Sequence, residues 1–253
     1  MRVTLIQTNL HWENPTANRE MFSAKFANLT GKTDLVVIPE MFTTGFSMRS
    51  KELAETMEGP TVHWMKTSAA KIGAVITGSM IIREGDNFFN RLLWATPTGK
   101  IIHYDKKHLF TLAGEQKHFS PGTERIVIDY MGWKICPLIC YDLRFPVWSR
   151  NTEDYDLLLY VASWPDRRRE AWQTLLKARA IENQCYTIGV NRVGEDGSDL
   201  SYAGDSTLID FAGKSLLAVE SVEGEFTAEI SLSKRQDFIE KLPFLADRDQ
   251  FTL

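Results

Sequence analysis

Three uninterrupted apolar runs constrain the fold more than any other feature: DLVVIPE (34–40), KICPLIC (134–140) and DLLLYVA (156–162). Each has the length of a strand, and a strand without polar alternation must be covered on both faces. Each also passes straight into a loop that carries polar or aromatic residues. Further strands are expected at Val3–Gln7, Ala74–Met80, Arg91–Thr96, Ile101–Tyr104, Arg125–Asp129, Thr187–Asn191, Ser206–Asp210 and Glu225–Ile230. Helices fill gaps between them. Asn14-Pro15 reads as an N-cap with Pro at the first helical position, followed by Phe22, Phe26 and Leu29. A second helix is expected over about Thr61–Ile72. A third, near Arg168–Gln184, carries Trp172, Leu175 and Leu176 on one face. The pattern is that of a layered α/β domain. Without a Pro/Gly/Ser linker, internal repeat or low-complexity segment, one domain over 1–253 is expected, with a C-terminal tail from about 232.

Composition removes several classes. With 253 residues, 43% of them hydrophobic, the chain can bury roughly 70–75% of its unfolded surface without disulfides or metals. Its 29 basic and 33 acidic residues give a net charge of −4, no footprint for nucleic acid. No stretch approaches the ~18–20 apolar residues of a membrane span. MRVTLIQTNLHWENP lacks a signal peptide's apolar centre and small-residue cleavage site. Three cysteines make no disulfide framework. A reduced, cytoplasmic protein is the expectation.

Cys140 stands where KICPLIC turns into YDLRFPVW, a strand–turn–helix corner. There a helix N-terminus would favour a thiolate, and the Tyr141 N–H could receive an oxyanion. Most free cysteines are buried small hydrophobes, so the corner is what singles out Cys140. Cys136, four strand residues away, lies about 13 Å off at ~3.3 Å per residue, too far for a disulfide or a shared metal. Cys136 and Cys185 read as core.

A thiol hydrolase needs a base, and among the histidines only His108 and His118, flanking TLAGEQK, stay open on spacing. Glu40 ends an apolar strand, where a charge is costly unless paired or working. Lys106 and Lys107 follow IIHYD, and one of two adjacent lysines is usually a surface charge. Glu115, in a Gly-containing loop, is ordinarily a solvated acid.

Glu40 in VVIPEMFTTGF, Lys106 in YDKKHLF and Cys140 in LICYDLRFPVW resemble, in order and spacing, the Glu-Lys-Cys signatures of the nitrilase superfamily of carbon-nitrogen hydrolases. AGEQKHFSPG, YVASWPDRRREAW, LKARAIENQCYTIGVNRVG and YAGDSTLIDFAG extend the resemblance from Val3 to about Ile230. The wording is most similar to the bacterial omega-amidase branch, which deamidates 2-oxoglutaramate and related 2-oxo acid amides. The resemblance implies a four-layer αββα sandwich that pairs into a homodimer or higher homo-oligomer. It implies Glu40 as general base, Lys106 as stabiliser of the tetrahedral intermediate, Cys140 as nucleophile and Glu115 as an additional glutamate that tunes the site. Lys106 rather than Lys107 matches, because it stands two residues before His108. Ser163 stands where many relatives have Asn, a departure that bears on pocket shape.

The expected reaction passes through a thioester and requires neither metal nor organic cofactor. For a substrate carboxylate, Arg144 lies one turn after Cys140 and is a candidate donor; a structural ion pair is its other reading. Trp164, Phe42, Phe46 and Phe119 are candidate pocket walls or plain core. The run Asp166-Arg167-Arg168-Arg169-Glu170 reads as a solvated helix face. Competing functions are an N-carbamoyl amino-acid amidohydrolase, a nitrilase in the strict sense, or an idle α/β interaction protein. A metal phosphohydrolase would need Asp/His ligands at strand ends that the sequence does not present.

Overall fold

Two six-stranded sheets packed face to face form the centre of the computed structural model, which describes residues 1–252. The first sheet runs β14-β1-β2-β3-β4-β5. Its strands are β1 (Arg2–Gln7), β2 (Leu35–Val37), β3 (Val75–Glu84), β4 (Asn87–Ala95), β5 (Ile101–Asp105) and β14 (Gly224–Glu229). The second runs β13-β12-β9-β8-β7-β6. It comprises β6 (Ile128–Tyr130), β7 (Trp133–Ile139), β8 (Leu157–Ala162), β9 (Tyr186–Asn191), β12 (Ser206–Ile209) and β13 (Ser215–Val219). In each sheet three strands are parallel, β1–β2–β3 and β7–β8–β9, and antiparallel partners flank them.

The apolar runs occupy the places their composition demands. In β2, Leu35 and Val37 point into the core between the sheets, while Val36 joins the core beneath the helices. That outer core holds Phe22 and Phe26 of α1 (Pro15–Phe26) with Met65 and Ala69 of α3 (Pro60–Ile72). On the other side, Trp172 and Leu176 of α4 (Arg169–Asn183) cover the second sheet so closely that a Cβ on Gly189 would meet both. Helix, sheet, sheet, helix is the four-layer sandwich the resemblance implies.

Local signals set the boundaries. The Asn14 side chain accepts from the Ala17 N–H at 3.1 Å, capping α1 as read from Asn14-Pro15. Helix α3 begins one residue earlier than expected and stops at Gly73, whose φ of 71° is a left-handed cap. Five elements carried too little pattern to be read. The hairpin strands β10 (Val193–Glu195) and β11 (Ser201–Ala203) have three residues each. Strand β13 is an edge strand with most residues outside the core. The tail begins as a polar helix, α5 (Leu232–Lys241), with only Arg235 buried. A single turn, α2 (Ser50–Leu53), completes the helices. Leu253, the end of the expected tail, lies outside the described residues.

Candidate active site

The C-terminal ends of β2, β5, β7 and β8 meet at one rim of the sandwich, where parallel α/β strands present their loops. Glu40 follows β2. The chain then reverses at Met41, whose φ is 44° and whose N–H donates to Ser79 Oγ at 2.9 Å. Lys106 follows β5 directly, with its N–H donating to Asn90 O at 3.0 Å. Cys140 follows β7 in the left-handed region, at φ 43°, a strained conformation for a side chain with a Cβ. Ser163 follows β8.

Three charged side chains, Glu40, Lys106 and Glu115, are wholly buried together. Lys106 Nζ lies 2.8 Å from Glu40 Oε1 and 3.1 and 3.0 Å from the two oxygens of Glu115. Asn90 Nδ2 donates to Glu40 Oε1 at 2.8 Å and to Glu115 Oε1 at 3.4 Å. The other Glu40 oxygen accepts the Ser163 N–H at 2.8 Å, and Phe110 N–H donates to Glu115 Oε2 at 2.5 Å. Burial opposes the Lys106 charge, but Glu115 and then Glu40 outweigh it and hold the ammonium above its ordinary range. Burial raises the Glu115 carboxyl, against the pull of Lys106 and with the push of Glu40.

Cys140 opens onto a cavity of about 130 Å³ that Lys106 also lines. Its thiol is pushed well above its ordinary value, first by burial and then by the charge of Glu40, with Lys106 opposing. This corrects the expectation of a dipole-favoured thiolate. The element after Cys140 is a 3₁₀ turn of five residues, Cys140–Arg144, too short for a helix macrodipole to dominate. Cys136 and Cys185 are buried and free, as expected of core cysteines, although Cys185 lies past the Gln184 cap of α4 and not in the helix.

The cavity walls include Phe46, Phe110, Leu112, Trp164, Leu200 and Tyr202. Tyr141 and Arg144 also line it, and the Arg144 guanidinium lies 4.9 Å from the centre of the Trp164 ring. Phe42 and Phe119 do not belong to it. The reversal at Met41 turns Phe42 under the helices, edge-on to Phe22 at 5.6 Å. Bonds from Phe119 N to Glu115 O and from Ser120 N to Phe88 O direct Phe119 into a separate cluster with Met41, Ile81 and Leu109. Phe46 is the loop aromatic that reaches the site, its ring 5.1 Å from Lys106 Nζ.

The basic run is solvent-exposed at Asp166, Arg167, Arg169 and Glu170, as expected, but it also borders the cavity. Arg167 and Arg168 line the cavity beside Arg144, and Arg168 caps the Phe110 ring at 5.1 Å. Among the described residues only Arg169 of the run pairs with carboxylates, Asp205 at 2.8 Å and Asp166 at 3.8 Å. Burial, then the charge of Arg167 and more weakly that of Arg144, lowers the Arg168 guanidinium. Neither open histidine lines the cavity: His108 binds Asp142, and His118 lies in a surface groove beside Met48. Asn90 was missed because the expected strand began at Arg91, whereas β4 begins at Asn87 and carries Asn90 within it. Among the described residues no group of three or more His, Cys, Asp or Glu could hold a metal ion, and no helix is long and apolar enough to cross a membrane.

Comparison with known proteins gives the family. Residues 2–240 match the carbon-nitrogen hydrolase family model. The chain is 42% identical to an omega-amidase of Escherichia coli, across 100% of this chain and 98% of that protein. It is 34% identical to a 2-oxoglutaramate amidase of Bacillus subtilis, covering 97% and 96%. A CN-hydrolase superfamily protein of Xanthomonas campestris, solved with an arsenic adduct in its active site, superposes with a TM-score of 0.98 at 46% identity, covering 100% and 98%.

Proposed function

The chain belongs to the carbon-nitrogen hydrolase family, as an amidase-type hydrolase of C–N bonds with a buried cysteine nucleophile, and from that premise we propose that it hydrolyses the terminal amide of small 2-oxo dicarboxylic acid monoamides. The observation that carries the reading is the closed Glu40–Lys106–Glu115 cluster at the base of the cavity that exposes Cys140.

In this mechanism Glu40 takes the Sγ proton of Cys140 as sulfur attacks the amide carbon. The resting Lys106 directs its donors at two carboxylates. Protonation of Glu40 weakens that hold and turns Nζ toward the new oxyanion, which the Tyr141 N–H also receives. Losing one such donor typically costs about 2.7–4 kcal/mol of transition-state stabilisation. Glu40 returns its proton to the leaving nitrogen, the C–N bond breaks and ammonia departs from a thioester. Glu40 then deprotonates a water that attacks the thioester, and the acid leaves with the thiol restored. Glu115 fixes Lys106 throughout.

Size and charge support the substrate class. A cavity of about 130 Å³ is well below the roughly 300 Å³ at which drug-sized ligand pockets begin. Arg144, Arg167 and Arg168 place three guanidinium groups around it, a demand for a carboxylate. They disfavour the α-ammonium of glutamine, which a 2-oxo acid lacks. The named activities of the Escherichia coli and Bacillus subtilis relatives agree with this choice. The same arginines suit an N-carbamoyl amino acid, so the test is an ammonia-release panel. 2-Oxoglutaramate and 2-oxosuccinamate should turn over far faster than glutamine, N-carbamoyl-β-alanine or a simple nitrile. Turnover of the carbamoyl compound or nitrile alone rejects the proposal.

A further inference from the structure

Asp142 lies two residues beyond Cys140, completely buried and outside the cavity lining. Its carboxylate collects four hydrogen bonds. Oδ2 accepts the Tyr104 hydroxyl at 2.8 Å and the Ile139 N–H at 3.1 Å. Oδ1 accepts the His108 N–H at 2.9 Å and faces His108 Nδ1 at 2.8 Å, an arrangement that makes Nδ1–H the donor. These partners are not scattered. Tyr104 stands two residues before Lys106 and His108 two residues after it, while Ile139 immediately precedes Cys140. One carboxylate therefore ties both flanks of the lysine to the turn that carries the sulfur.

Second-tier contacts hold the tie rigid. Trp148 Nε1 donates to the Tyr104 hydroxyl at 2.9 Å, and the His108 ring stacks on Phe145 at 3.7 Å with 7° between planes. The backbone donors among the four cannot rotate away. An ionised carboxylate, which only accepts, suits such a set. An Asn in its place would turn its NH₂ toward the Ile139 N–H or the His108 N–H, whichever way it flipped.

We propose that Asp142 is a positioning residue that sets the Lys106–Cys140 geometry, holding the strained Cys140 turn in register with the lysine segment. The inference rests on the reading of Cys140 and Lys106 as reacting groups. It concerns kcat, because Asp142 and His108 are not among the residues that line the substrate cavity.

Three variants test it alongside Cys140→Ala. Asp142→Asn should lower kcat about a hundredfold, the scale of a small misplacement of reacting groups, with KM little changed. His108→Asn keeps an N–H where Nδ1 stood, whereas His108→Leu removes it, and both lose the stack on Phe145. The Leu variant should fall below the Asn variant in kcat by at least about tenfold, the worth of one hydrogen bond to a charged group. A merely structural role would lower both alike. Equal kcat in the two His108 variants, or wild-type kcat in Asp142→Asn, overturns the proposal. If Asp142→Asn does not fold, the His108 pair decides the matter alone. Activity in Cys140→Ala would sink the underlying mechanism instead, so the two failures are distinguishable.

Discussion

At the scale of single residues, Glu40 acts on Cys140 in two opposite ways. Its charge raises the thiol, while in the proposed mechanism its oxygen is the proton's destination. Glu40→Gln should therefore lower the pH at which Cys140 ionises, read from the pH dependence of iodoacetamide alkylation, yet lower kcat by orders of magnitude. Cys140→Ala and Lys106→Met should be similarly inactive, because members of such a unit do not contribute additively. An alkylation profile unmoved in Glu40→Gln would show that the carboxylate does not set the thiol. Arg168→Met should raise KM for carboxylated amides by at least about tenfold, as expected for a lost ion pair to substrate. An equal loss on an uncharged amide would contradict that role. Glu40 was legible because an acid on an apolar strand needs a purpose. Arg168 was not, since a charge run at a helix start looks the same whether it faces solvent or a cavity.

Among elements, the loop that returns past β5 has one position with no room to change. A Cβ on Gly122 would stand 2.1 Å from the Asp105 carbonyl oxygen, and its N–H donates to Lys106 O at 2.8 Å. Gly122→Ala must displace the end of β5 and the lysine that follows it. Overpacking of this kind typically costs about 1–3 kcal/mol, or about 2–4 °C of Tm per kcal/mol at this chain length. Thermal melts and kcat should fall together; a stable variant with intact kcat would show the loop yields without moving Lys106. The parallel strands were readable because burial on both faces removes polar alternation. The β10–β11 hairpin was not, because three-residue strands hold no period, although it supplies Leu200 and Tyr202 to the cavity wall.

For the whole molecule, the site exists only when both sheets are in place: Glu40 and Lys106 come from the first, Cys140 and Ser163 from the second. Sequence order could not show that meeting, since side chains separated by a hundred positions are joined by packing between layers. The first sheet is also secured at its margin. Arg2 beside Asp34 holds that carboxyl below its usual range, with burial opposing. Because the folded value is depressed, the pair contributes above the unfolded carboxylate pKa of about 3.9 and its contribution fades as pH falls through the folded value. Asp34→Asn should lower Tm slightly at pH 7, an exposed pair being weak, and the difference should vanish in acid. A difference that persists at pH 2 would assign the effect to something other than this charge.

Strand β1 pairs with β14, and the Met1 ammonium donates to Ile230 O at 2.9 Å, across 229 positions of chain. A ribosome delivers β1 long before it makes β14. Until then the growing polypeptide holds an open hydrogen-bonding edge on β1. Chains halted upstream of Gly224 should therefore expose the β1 edge and be less stable than chains that include β14, a difference that limited proteolysis would read.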